Sequence, residues 1–113
     1  MAREVEWTEA AWSDLEGVAD YIARDSPHYA AAFVREIRDA ARSLAYLAER
    51  GRVVPEFDDT SIRELFVRNY RLIYQVTKQV VVIIGFVHGA RNLQALLERE
   101  SSPLPGDIGK PEQ

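Results

Sequence analysis

Residues 62–91 read IRELFVRNYRLIYQVTKQVVVIIGFVHGAR. Three runs rich in β-branched and aromatic residues stand out, 62–67, 70–77 and 80–87, which is the composition of strands. The breaks between them, Arg68-Asn69 and Lys78-Gln79, are each about the length of a hairpin turn. No crossover helix fits into so short a break, so the three strands are predicted to run antiparallel as a meander. Charge is concentrated on the same stretch. Residues 61–91 carry Arg63, Arg68, Arg71, Lys78 and Arg91 against Glu64 alone, a net of +4, whereas residues 1–60 sum to −6 and residues 92–113 to −2. A chain of net charge −4 thus carries one basic sheet.

Upstream of that sheet the periodicity changes twice. Arg3 to Trp7 alternates charge with apolar bulk, Val5 and Trp7 on one face and Glu4 and Glu6 on the other, a period of two that predicts a short strand. Thr8 is placed to cap a helix, with Glu9 where the helix dipole favours a negative charge. Trp12, Leu15, Val18, Ala19 and Ile22 then fall at helical spacing, so the helix is predicted to run to about Arg24. Gly17 weakens it by about 1 kcal/mol relative to alanine. Ser26-Pro27 caps and opens a second helix, because proline at the first helical position sacrifices an N–H that would be unpaired anyway. Its apolar stripe is Ala30, Phe33, Ile37, Ala41, Leu44 and Leu47/Ala48, and Gly51 is predicted to end it. Two helices joined by so short a link form an antiparallel hairpin, and the sheet is the one large surface that can bury their stripes.

Downstream, residues 52–61 are predicted to be a loop, marked by Pro55 and Asp58-Asp59. Asn92 to Glu100 is expected to form a short helix with Leu93, Leu96 and Leu97 on one side. Residues 101–113, SSPLPGDIGKPEQ, are expected to be a disordered tail. The fold class is therefore α+β: an N-terminal strand, a helical hairpin packed on a three-stranded antiparallel meander, and a short C-terminal helix. Residues 1–100 are expected to form a single domain. Tyr21, Phe33, Tyr46, Tyr70 and Tyr74 are expected in or beside the core. The acidic side chains of the first helix (Asp14, Glu16, Asp20) and Arg35, Arg38 and Arg42 of the second are expected on solvated faces.

Composition removes several classes of function. The 113 residues include no cysteine, so neither a disulfide framework nor a thiolate zinc site is available. The two histidines, His28 and His88, lie too far apart in sequence for a metal-ligand pattern; no metal or other cofactor is expected. The longest apolar run, 80–87, is far shorter than a membrane span, so a cytoplasmic protein without membrane contact is the expectation. The acidic balance opposes general coating of nucleic acid, while the local +4 leaves a focused patch open.

Two positions carry possible chemistry. Residues 70, 72, 74 and 76 share one face of their strand, and Arg71, Ile73 and Gln75 the other. An arginine in so apolar a strand has to reach solvent, pair with an acid or bind an anion. It either pairs with Glu64 on the adjacent strand or snorkels along the sheet, or its fork of five donors meets a phosphate or a partner. His88 and Arg91 lie just past the last strand. A histidine there either shapes the turn together with Gly89 or exchanges protons near neutrality.

The order Arg63-Glu64-Leu65, then Asn69-Tyr70-Arg71-Leu72-Ile73-Tyr74-Gln75-Val76, then a valine-rich strand ending His88-Gly89-Ala90-Arg91, resembles the RelE/ParE toxins of type II toxin–antitoxin (plasmid-stabilisation) modules. Trp7-Thr8-Glu9-Ala10-Ala11, Asp20-Tyr21-Ile22 and Gly51-Arg52 extend the resemblance over about residues 4–98. It implies a cognate antitoxin that wraps the toxin with a segment folding on binding, docking in the apolar groove between the helices or along sheet edges. It also implies no direct DNA binding by this chain alone. In the ribonuclease members the arginine after this tyrosine contacts phosphate, and Arg71 falls on that position. A nuclease reading would use Arg71, His88 and Arg91 in ribosome-dependent mRNA cleavage.

That constellation is incomplete. RelE-like nucleases place lysines on the first strand of the meander and a tyrosine near the C-terminus, where this chain has Ile62, Glu64 and Leu96 or Leu97. Arg-Glu-Leu with His-Gly-Ala-Arg is similar to the ParE branch, whose members bind DNA gyrase without hydrolysing anything. The resemblance therefore implies a gyrase-binding inhibitor of replication with a target-binding set Arg63, Arg68, Arg71, His88 and Arg91. An mRNA endonuclease and a non-toxic antitoxin-binding remnant are the alternatives.

Overall fold

The computed structural model describes residues 2–89. Within them run β1 (Glu4–Trp7), α1 (Glu9–Ala23), α2 (Pro27–Ser43), β2 (Arg52–Val53), β3 (Ile62–Val67), β4 (Tyr70–Val76) and β5 (Val80–His88). Arg91, the helix expected over 92–100 and the tail expected over 101–113 lie outside the described residues. Both helix starts follow from their caps. The Thr8 hydroxyl accepts the Ala11 N–H at 3.0 Å and the Ser26 hydroxyl accepts that of Tyr29 at 3.0 Å, with Pro27 opening the first turn.

The meander is present, but it is part of a larger sheet. Five strands lie in the order β1-β5-β4-β3-β2. β3, β4 and β5 pair antiparallel as the turn lengths require. The short N-terminal strand is present as β1, and the partner that the sequence left unassigned is β5: the two lie parallel, Val5 beside Val81 and Trp7 beside Ile83. The helical hairpin carries the chain from β1 at one edge of the sheet to β2 at the other, and the meander then returns to place β5 beside β1. β2 corrects an expectation. Residues 52–61 do not form loop throughout, because Arg52 and Val53 pair antiparallel with Glu64 and Arg63.

The two faces of the sheet are covered differently. Leu72, Tyr74, Val67, Val81, Ile83 and Phe86 face α1 and α2, which contribute Ala11, Leu15, Phe33, Ile37, Ala41 and Leu44. Tyr70 stacks on Phe86 at 5.0 Å between ring centres, and the Phe33 ring meets both edge-on at 5.7 and 6.1 Å. On the opposite face Ile73, Ile84 and Val87 are covered by Val54 and Phe57 of the β2–β3 connection, forming a second, smaller core. Pairing along β4 and β5 slips between Ile73 and Tyr74, which lie opposite Gly85 and Ile83 and leave Ile84 extra. This bulge lets Ile83 and Phe86 share the helix-side core while Ile84 and Val87 enter the other. The Phe86 N–H at that point donates to Asp14 Oδ2 of α1 at 3.3 Å, so Asp14 faces the sheet and not only solvent.

α2 ends at Ser43, well before Gly51 where the sequence pattern stops. The Ser43 hydroxyl donates to the Ala40 carbonyl at 2.6 Å and accepts from Arg50 at 2.8 Å. The following N–H groups reach back only three residues, Leu44 to Ala41 and Ala45 to Arg42, the tighter turn common at helix ends. Carbonyls released from the helix find tertiary partners: Ala45 accepts the Arg3 N–H at 2.9 Å and Ala48 accepts the Tyr74 hydroxyl at 2.8 Å. The Tyr74 hydroxyl in turn accepts the Gly51 N–H at 2.9 Å. A Cβ on Gly51 would collide with the Glu64 carbonyl and the Tyr74 hydroxyl, so only glycine fits between them. The early end leaves Leu47 and Tyr46 at the surface, 58% and 79% exposed, with Ala48 buried. Tyr21, 68% exposed, also lies outside the core expected for it, its ring under the Arg24 guanidinium.

Candidate functional site

The charged groups of the sheet gather around Glu64. Its position on β3 is opposite Arg52 on one side and Ile73 on the other, which turns its side chain onto the face away from the helices. The side chain has no solvent exposure, and a lone carboxylate there would be costly. Two arginines compensate it: Arg52 Nε donates to Glu64 Oε2 at 2.6 Å and Arg71 NH1 to Oε1 at 3.1 Å. Arg71 therefore pairs with Glu64, the first of the readings open to it. It also donates to Glu56 Oε2 at 3.3 Å and, through Nε, to the Gly89 carbonyl at 3.0 Å. The ring of Phe66, half exposed, has both guanidiniums beside it, Arg52 at 5.7 Å and Arg71 at 5.6 Å.

The other predicted site residues lie elsewhere. Paired residues point to one face of a sheet. Arg71, opposite Val87, shares its face, and His88, opposite Tyr70, takes the other. The His88 ring meets the Tyr70 ring edge-on at 5.5 Å, on the helix side. Arg63, opposite Tyr74, is also on the helix side, where NH1 donates to the Gly51 carbonyl at 2.7 Å. Arg68 stands at the β3–β4 turn with φ 57 and reaches α2, its Nε 2.8 Å from Glu36 and its guanidinium 6.0 Å from the Tyr29 ring. The hydrogen bond to Glu36, with the carboxylate charge, pushes the Arg68 pKa further up. The five-residue set thus divides, among the described residues, into Arg71 on the open face and Arg63, Arg68 and His88 on or beside the helix face.

Sequence reasoning did not place Arg52, Glu56 and Phe66 at this cluster. Arg52 and Glu56 fall in the predicted loop, and their approach depends on a two-residue strand that no periodicity reveals. The alternation of β3 does put Phe66 on the Glu64 face, and that signal was available. Among the described residues no three His, Asp or Glu side chains come together as a metal site, and no helix is long and apolar enough to cross a membrane.

Residues 5–93 match the family described as the ParE toxin of the type II toxin–antitoxin system, parDE. The chain belongs to this family. The match begins on the second residue of β1 and takes in both helices and β2 to β5. Among curated relatives, Toxin RelE2 of Caulobacter vibrioides is 37% identical over 89 residues, covering 78% of this chain and 97% of the relative. Among solved structures, the chromosomal ParDE system of P. aeruginosa superposes with a TM-score of 0.64 at 21% identity, over 77% of this chain and 96% of that one. The RelBE2 toxin–antitoxin complex of Mycobacterium tuberculosis gives 0.54 at 22% identity, over 78% and 99%. Those two likenesses are of fold, and the fold is that of the ParE and RelE toxins.

Proposed function

We propose that this chain, a toxin of a type II module, is held by a cognate antitoxin in the cytoplasm and arrests growth by binding DNA gyrase. RNA cleavage requires one group to take the 2′-OH proton, another to protonate the departing oxygen, and cations facing the phosphate. The observation that carries the binding reading is the commitment of Arg71. Its fork is taken up by Glu64, Glu56 and the Gly89 carbonyl, and His88 is on the opposite face of the sheet. The antitoxin reading is supported by the solved neighbours, which are described as toxin–antitoxin systems.

The test is macromolecular synthesis after induction of the chain without antitoxin, with labelled thymidine and methionine followed side by side. Thymidine incorporation should fall first while methionine incorporation continues, and purified toxin should inhibit supercoiling by gyrase. His88→Ala should leave the growth arrest nearly intact. Collapse of methionine incorporation within minutes would favour the endonuclease instead, and unaltered growth would point to an antitoxin-binding remnant.

A further inference from the structure

Near the β4–β5 turn, the arginines are fastened to neutral oxygens. Arg3 Nε donates to the Thr77 carbonyl at 2.8 Å, Arg50 NH1 to the Ser43 hydroxyl at 2.8 Å, and Arg63 NH1 to the Gly51 carbonyl at 2.7 Å. Among the described residues none of these three has a carboxylate at ion-pair distance, whereas Arg52, Arg68 and Arg71 each have one. A neutral anchor fixes a guanidinium without neutralising it, and one donor spent leaves the rest of the fork for an anion.

Arg3 and Arg50 stand on the wall of an open cleft of about 420 Å³, together with Tyr46, Leu47, Ala48 and Glu49. The cleft is a product of the early end of α2 at Ser43. Beyond it the chain is tied down at Ala45 by the Arg3 N–H and at Ala48 by the Tyr74 hydroxyl, while the side chains of Tyr46 and Leu47 stay exposed. Its volume lies within the roughly 300–1,000 Å³ of small-molecule sites. Each wall suits one part of a nucleotide. Forked guanidiniums match phosphate oxygens, an exposed tyrosine ring offers a face on which a base stacks, and the Glu49 carboxylate accepts from sugar hydroxyls. A bare anion would use the arginines and leave the ring and the carboxylate idle.

We propose that the cleft between Arg3 and Arg50 binds a free nucleotide, its phosphates held by the two guanidiniums and its base stacked on Tyr46. The site shares no residue with the Glu64 cluster and does not depend on the gyrase reading.

Calorimetric titration of the purified chain with ADP, pyrophosphate and adenosine reads the two halves of the ligand separately. ADP should bind saturably, one per chain, more tightly than either half, and should raise the thermal midpoint. Arg50→Gln should weaken ADP and pyrophosphate alike, by about tenfold for a lost charge-assisted contact. Tyr46→Ala should weaken ADP and leave pyrophosphate unchanged. Both side chains are exposed, so neither change threatens folding. Arg35→Gln, an exposed change on α2 away from the cleft, should leave ADP binding as it is. Absence of saturable ADP binding, equal affinity for ADP and pyrophosphate, an equal loss in Arg35→Gln, or tighter binding of a short single-stranded oligonucleotide than of ADP would each overturn the proposal.

Discussion

The face of the sheet under the helices and the face away from them are built from the same strands by different means. The helix side is sealed by two amphipathic helices, and its buried members are nearly all apolar. The open side has a small apolar core under a connection of about ten residues, and beside it a buried carboxylate with two arginines. A sealed core holds its shape through packing, so each side chain matters by volume. A charged cluster under a loop holds position through hydrogen-bond direction, and its contribution is to specify geometry more than to add stability.

Removing one phenylalanine from each core is the strongest way to break this comparison. Phe33 is 3% exposed between α2 and the aromatic side chains Tyr70 and Phe86, where rigid elements on all sides keep a cavity open. Phe33→Ala should cost about 4–5 kcal/mol in urea denaturation, the upper part of the range for such truncations. Phe57 is 7% exposed, but it sits on a connection that can settle onto Ile73 and Ile84. Phe57→Ala should cost no more than about 3 kcal/mol. Equal losses would mean that the loop is as rigid as the helices.

Tyr74 belongs to the helix-side core yet makes polar contacts, and it sharpens the distinction. Tyr74→Phe leaves the buried Gly51 N–H and Ala48 carbonyl without their partner, which should cost about 1–3 kcal/mol. Burial is the leading cause that pushes the Tyr74 pKa above its ordinary 10.0, with the Gly51 hydrogen bond opposing it. The folded state therefore keeps its proton where the unfolded chain has lost it. The stabilisation is fully present below the ordinary tyrosine pKa of 10.0 and declines as pH rises above it. Wild-type stability should fall more steeply above that pH than the stability of Tyr74→Phe, measured as denaturation midpoints across an alkaline series.

The same contrast explains which parts of the molecule could be read from sequence. The helix side was legible because its signals are local: Thr8 and Ser26 as caps, the stripe from Ala30 to Leu44, and the two-residue breaks that make β3, β4 and β5 a meander. What escaped depends on partners distant along the chain. β1 joins the sheet beside Val80 to Ile83, and nothing within residues 4–7 specifies that neighbour. β2 is too short to show a period. α2 stops at Ser43 because Arg3 and Tyr74 take the carbonyls that a longer helix would have used. Of the site, the Arg71–Glu64 pair was among the readings that strand alternation left open. The division of Arg71 from His88 was not, because it needs the register of β4 on β5 and the bulge at Ile84.

The smallest effect is expected where the two faces meet, at the β3–β4 turn. Arg68 adopts φ 57 at the first of two turn positions, a conformation that suits glycine and is strained for a side chain bearing a Cβ. Its compensations are the Tyr29 ring, 6.0 Å from the guanidinium, and the ion pair with Glu36, 2.8 Å long and exposed on both sides, 50% and 41%. Pairs so open to water are screened and contribute little. Arg68→Gly should therefore raise the thermal midpoint slightly, because relief of the backbone outweighs the lost pair. Glu36→Gln removes the pair while leaving the turn residue in place, and should leave the midpoint unmoved. If Glu36→Gln instead lowers it and Arg68→Gly lowers it equally, the pair to α2 is what fixes the turn, and the helix layer reaches around the sheet further than its apolar contacts indicate.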